Sequence, residues 1–211
     1  MELEERLFGL ERRLSTLTGH EGWVIGKCRF VFSTLEKEVV YDSPYQMDIL
    51  RENRNLAEIR IQRHDDVERL DVTLMKPVEH SRWEIGKKKH DSKTWSERGQ
   101  ISGEGKVGND PVQTEIFCVT REETDHYLAA SGDKNPIHRG ENSIVPGFLM
   151  VNRIAGLLKT PERSPEKLQV RFFSPLPVGE AAELMISGQP EKKINAEVYW
   201  NGTLILRIEA E

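Results

Sequence analysis

The chain has 211 residues, 37% apolar and 31% charged, with a formal net charge of −5. That length suits one large domain or two small ones with a sizeable core, and apolar runs recur along all of it, which excludes an intrinsically disordered chain. A mildly acidic surface has no electrostatic reason to seek nucleic acid or anionic lipid. No run approaches the roughly 18 apolar residues of a membrane span, and the acidic, amphipathic first twenty residues lack a signal-peptide core. The expectation is a cytoplasmic protein with neither nucleic-acid nor membrane partners.

Leu3, Leu7, Leu10, Leu14 and Leu17 are spaced by three and four, which predicts a helix over 3–17 that Gly19 and Gly22 end. Residues 23–32 read as a strand rich in β-branched and aromatic side chains. Pro44 is placed to open a short helix over 45–54. Alternation predicts strands at 56–62 and 70–76, and further strands at 83–89 and 94–107. The basic cluster Lys87 to His90 reads as a solvated edge strand. His64-Asp65-Asp66 reads as a hairpin turn. The glycine-rich run at 99–106 fails as a phosphate loop, because Val107 stands where Ser or Thr is needed. Gly108-Asn109-Asp110-Pro111 is turn chemistry throughout, which sets a boundary between 1–110 and 111–211.

The second part opens on a strand at 114–120. Thr120 and Glu123 form a capping box, so a helix starts at Arg121; it stops at Ser131-Gly132. A second helix runs from about Gly147 to Leu158 and is apolar on nearly all sides, so it belongs in the core. Strands follow at 167–174 and 182–189, then a pair joined by Asn201-Gly202, a strong hairpin signal. The expected class is α+β, an antiparallel sheet wrapped round one central helix. The first part repeats a coarse order of strand, short helix and four strands, which suggests two copies of one fold, the first degenerate. Cys28 and Cys118 have no metal-ligand spacing and read as buried thiols, so no metal is expected.

Chemistry is concentrated in Ser131–Leu149, SGDKNPIHRGENSIVPGFL. Taken alone, SGDKNPIH is a tight turn in which Asp133 caps a helix and His138 is incidental. Its setting favours more. The turn joins two helices, and Pro146-Gly147 then opens the buried one, so free backbone N–H groups and a positive helix end lie beside the Asp/His pair. Adding water across an α,β-unsaturated thioester, or removing it, builds negative charge on the thioester oxygen. A fixed N–H at Gly147 would stabilise that charge, a donor worth ~3 kcal/mol. Asp133 and His138 would hold one water and move its protons, each group contributing about 10²–10⁴-fold. Gly147 also permits close approach of a ligand to the backbone.

Four sequence words, in order, carry a family resemblance: Tyr127–Asp133 (YLAASGD), Asn135–His138 (NPIH), Ile144–Gly147 (IVPG) and Phe172–Glu180 (FFSPLPVGE). With these the C-terminal half resembles the MaoC-like family, which includes R-specific enoyl-CoA hydratases and 3-hydroxyacyl thioester dehydratases. The resemblance implies a hot-dog fold, and with the degenerate first copy a double hot-dog: 1–110 structural or substrate-shaping, 111–211 catalytic. It implies syn hydration of trans-2-enoyl thioesters to the 3R-hydroxy form, or the reverse, with Asp133 and His138 activating water and Gly147 as the oxyanion donor. Asn135, Pro146, Asn152 and Arg139 are expected as substrate contacts, and Arg139, Arg153 and Arg171, as basic residues near the pocket mouth, are candidates for a CoA or carrier phosphate. No cofactor is implied beyond the CoA or phosphopantetheine that the substrate carries. The partner is an acyl-CoA or acyl carrier protein, and the chain is expected as a monomer or homodimer.

One departure is visible. Only Arg139 to Ser143 separates His138 from Ile144, less than that family usually carries, so the pocket should be more open or covered by the first half. Two other functions stay open: a non-catalytic acyl-thioester-binding module, and a thioesterase on the same fold. The Asp-x-Asn-Pro-x-His turn favours water addition over either.

Overall fold

The structure, a computed structural model, describes residues 3–32, 44–63, 68–77, 112–159, 164–189 and 193–211. Helix α1 spans Leu3–Leu14, one turn shorter than its leucine spacing predicts, with Leu3, Leu7, Leu10 and Glu11 on its buried face. Strands β1 (Val24–Phe32), β2 (Tyr45–Glu52), β3 (Leu56–Arg63) and β4 (Glu68–Met75) follow. The second half comprises β5 (Val112–Cys118), α2 (Arg121–Ser131), α3 (Gly147–Leu158), β6 (Lys167–Phe172), β7 (Ala181–Gln189), β8 (Lys193–Trp200) and β9 (Thr203–Ala210).

The short helix expected after Pro44 is absent; β2 stands there, paired antiparallel with β3 from Tyr45↔Arg63 to Glu52↔Ala57. Proline permits a helix start but does not impose one, and cross-strand pairing decides the matter. The predicted strands at 83–89 and 94–107, the Lys87–His90 cluster, the 64–66 turn, the glycine-rich run and the 108–111 boundary lie outside the described residues.

Among the described residues one nine-stranded antiparallel sheet runs β2-β3-β4-β1-β6-β9-β8-β7-β5. Its order explains the internal repeat better than the sequence did. The run α1-β1-β2-β3-β4 and the run α3-β6-β7-β8-β9 have the same order, and their equivalent strands β1 and β6 pair antiparallel at the seam. The repeat is thus helix first, then four strands. In the second half β5 is added on the free edge of β7.

Strand alternation places Ile59, Val72, Cys28, Val170, Ile208 and Ala196 in one cross-strand row over six strands, all buried. Both long helices cover this face. Phe148 of α3 packs edge-on against Phe30, ring centroids 5.7 Å apart, and Arg6 of α1 lies 4.7 Å over the Phe32 ring. As expected, α3 is buried through most of its length, Phe148, Met150, Val151 and Ile154 among others. The β8–β9 hairpin turns on Asn201 and Gly202 at φ 50° and 75°, the left-handed pair that a two-residue hairpin loop requires. Among the described residues no helix is long and apolar enough to cross a membrane.

Candidate active site

The site begins at the end of α2. Thr120 and Glu123 form the predicted capping box: Thr120 Oγ1 accepts from the Glu123 N–H at 3.1 Å, and Glu123 Oε2 accepts from the Thr120 N–H at 2.7 Å. At the other end Gly132 takes φ 74° and donates to the Leu128 carbonyl, which turns the chain off the helix axis into Asp133. Asp133 Oδ1 accepts from the Asn135 N–H at 2.8 Å. That bond folds the turn and leaves Oδ2 directed at His138 Nε2, 3.6 Å away.

His138 closes a one-turn 3₁₀ helix, Pro136–His138, capped by Asn135 Oδ1 on the Ile137 N–H. Its Nδ1 lies 2.9 Å from the Ile144 carbonyl oxygen. A carbonyl only accepts, so in the neutral ring Nδ1 carries the proton and Nε2 presents a lone pair toward Asp133. Burial holds the imidazole below its usual pKa, against the opposing pull of the Ile144 carbonyl and the Asp133 charge. The His138 side chain is 9% exposed and that of Asp133 24%. A direct hydrogen bond across 3.6 Å is too long, whereas the spacing would let one water, about 2.8 Å from each atom, join the two.

The segment after His138 is clamped on two sides. The Arg121 guanidinium donates to the Ser143 hydroxyl at 2.7 Å and to the carbonyls of His138 and Gly140. Val145 N–H donates to the Leu176 carbonyl and Val178 N–H to that of Ser143, so the Phe172–Glu180 word serves as the strut beneath Ile144–Gly147. Pro146 then caps α3 with no side-chain hydrogen bond, which leaves the first helical N–H groups free of an intrahelical partner. Glycine at 147 is required by packing: a Cβ there would lie 2.8 Å from the Phe172 ring.

Asp133, His138 and Gly147 all line one cavity of about 800 Å³. Its wall comes from both halves of the chain. Leu14, Leu17, Trp23 and Ile25 face Phe148 and Phe172 across it. The first half therefore covers the pocket beside the short Arg139–Ser143 segment, one of the two expected outcomes. Two bonds tie the halves at the turn itself: Asn135 Nδ2 donates to the Trp23 carbonyl at 2.9 Å, and Ser15 Oγ donates to that of Ser131 at 2.8 Å.

The expected substrate contacts divide differently. Asn135 lines the cavity, but both ends of its amide are engaged in holding the turn. Arg139, Pro146 and Asn152 are not in the cavity wall. Arg139 braces the turn by donating to the Asp133 carbonyl at 2.8 Å. Asn152 sits on α3 with its Oδ1 buried and unbonded among the described residues. Arg153 lies 5.0 Å over the Phe117 ring and bonds the Cys118 carbonyl and Glu123, and both it and Arg171 lie outside the wall. Sequence reasoning missed Glu11, Ser15 and Trp23, which belong to the first half and reach the site through the fold alone. Among the described residues no group of three His, Cys, Asp or Glu side chains is arranged to hold a metal ion.

No family model matches the sequence, and no curated protein matches it. Solved structures do match the fold. HtdX of Mycobacterium tuberculosis superposes with a TM-score of 0.60 at 15% identity, over 98% of this chain and 84% of that one. A MaoC-like dehydratase gives 0.60 at 16%, over 98% and 81%. The chain has the hot-dog fold of these structures. The peroxisomal multifunctional enzyme type 2 of Drosophila melanogaster gives 0.59 at 14%, over all of this chain and 41% of that one. In this chain the Asp133 turn and the start of α3 border a cavity lined from both halves of the sequence.

Proposed function

We propose that the chain is a hydro-lyase that adds water to trans-2-enoyl thioesters of CoA or acyl carrier protein, giving (3R)-3-hydroxyacyl thioesters, or catalyses the reverse dehydration. The observation that carries this reading is the gap of 3.6 Å between Asp133 Oδ2 and His138 Nε2, in a cavity wall beside the uncapped N-terminus of α3. The fold supports it, since one matched structure is named a MaoC-like dehydratase. We read 1–110 and 111–211 as two hot-dog units, of which only the second carries the turn.

In the hydration direction the water bridging Asp133 and His138 attacks C3 of the enoyl group. His138 Nε2 takes the proton that leaves the water, and the Asp133 carboxylate holds the other. The π pair moves to C2 and onto the thioester oxygen, where the Gly147 N–H and the positive end of α3 stabilise the charge. The imidazolium then returns its proton to C2 on the same face, so the net change is one water added syn. A neutral, buried imidazole suits the first step, because its lone pair is available at neutral pH.

The test follows absorbance of the conjugated thioester with crotonyl-CoA and a longer trans-2-enoyl-CoA, beside Asp133→Asn. Loss of absorbance with wild type alone supports the reading. Unchanged absorbance, with tight binding of both ligands, would instead indicate a binding module.

A further inference from the structure

The cavity wall holds a carboxyl that this chemistry does not use. Glu11 shares the buried face of α1 with Leu3, Leu7 and Leu10, and is only 5% exposed. It lines the cavity, yet its Oε2 is sealed from solvent and bonded to nothing among the described residues. An unsatisfied buried oxygen costs ~1–3 kcal/mol, so a residue of this kind calls for a partner beyond the chain's own described groups. Ser15, one turn further along, is already engaged with the carbonyls of Arg12 and Ser131. Leu14, Leu17, Val24, Ile25 and Met150 give the same cavity an apolar part, beside polar residues that include Arg12, Ser15 and Asp133. Burial first, and the charge of Asp133 second, push the Glu11 carboxyl well above the usual carboxylate range. The shift favours the protonated form, which carries an O–H that it could donate at the cavity wall.

We infer that Glu11 is a specificity residue that donates a hydrogen bond to an uncharged oxygen on the acyl chain, so that the cavity selects hydroxy- or oxo-acyl thioesters over plain alkyl ones of equal length. This rests on the acyl-thioester reading of the same site. A carboxylate on the chain is disfavoured, because Asp133 already places a negative group beside Glu11.

Calorimetric titration of the full chain tests it without relying on turnover. The ligands are hexanoyl-CoA and 4-, 5- and 6-hydroxyhexanoyl-CoA, with CoA alone as control, on wild type, Glu11→Gln and Glu11→Leu. Wild type should bind one of the hydroxyacyl ligands about tenfold more tightly than hexanoyl-CoA. Glu11→Gln, whose amide also donates, should keep that order. Glu11→Leu should invert it while folding at least as stably, since leucine leaves no buried oxygen unbonded. The same ranking in all three proteins, or tightest binding of hexanoyl-CoA by wild type, overturns the inference and leaves the acyl-thioester reading standing. Binding of no acyl-CoA beyond CoA itself overturns both.

Discussion

The side-chain amide of Asn135 donates to the backbone carbonyl of Trp23 at 2.9 Å, so the turn that carries Asp133 is moored to the first half of the chain. Asn135→Ala removes this bond and the cap on the 136–138 turn together. A displacement of about 1 Å at the reacting groups costs roughly 10²-fold in rate, and that fall in kcat/KM is expected. Asn135→Asp keeps an acceptor for the Ile137 N–H but loses the donor to Trp23, so it should fall nearly as far. Steady-state kinetics on both variants, beside thermal midpoints, checks this; wild-type rates in Asn135→Ala would show that the mooring has no part in activity.

Asp133→Asn and His138→Ala should each lower kcat by about 10²–10⁴-fold while keeping the far-ultraviolet spectrum of the folded protein. The pH profile has a defined sign. His138 titrates below its ordinary value of 6.5, mainly through burial, so the base form persists to lower pH and kcat/KM should begin to fall only below that value. Stability follows the same residue. The unfolded chain binds the proton more readily than the native one, so stability drops as pH falls from 6.5 through the lowered native pKa. His138→Gln should flatten that part of a urea-midpoint curve.

Gly147→Ala places a methyl 2.8 Å from the Phe172 ring. Alanine improves helix propensity by at most ~1 kcal/mol, whereas overpacking costs about 1–3 kcal/mol. The clash therefore wins, and the variant should be less stable and much slower. Gly147→Ala combined with Phe172→Leu should recover most of the stability, measured by denaturant titration. Failure to recover would place the fault in the backbone and not in the ring.

Glu11 has the opposite linkage from His138. Its native pKa is raised, so the folded state holds a proton that the unfolded state releases near 4.5. Stability contributed by that proton is present at low pH and is lost as pH rises through the native pKa. Glu11→Gln should therefore gain on wild type as pH rises above 4.5, read from urea midpoints.

Much of the second half was legible in the sequence because its signals are local. The capping box at Thr120/Glu123, the glycine stop at 132 and the Asn201-Gly202 hairpin each depend on residues within a few positions, and all three stand as read. The Asp133/His138 turn was legible for the same reason, since Asn135 and Pro136 shape it from within. Pro44 misled because its local preference was overruled by pairing with residues up to 63. The share of the first half in the site could not be read at all: Ser15 reaches Ser131, and Trp23 reaches Asn135, across more than a hundred residues of chain. Glu11 carries no local signal of burial, which only the packing of α1 supplies.

The β1–β6 seam lies in the middle of a continuous sheet, with Cys28 opposite Val170 and Phe30 opposite Leu168. To swing apart, halves joined in this way would have to break a ladder of backbone hydrogen bonds inside the core. Along this seam the frame round the cavity is therefore held as one piece, and a ligand meets a wall set by two halves that share a single sheet.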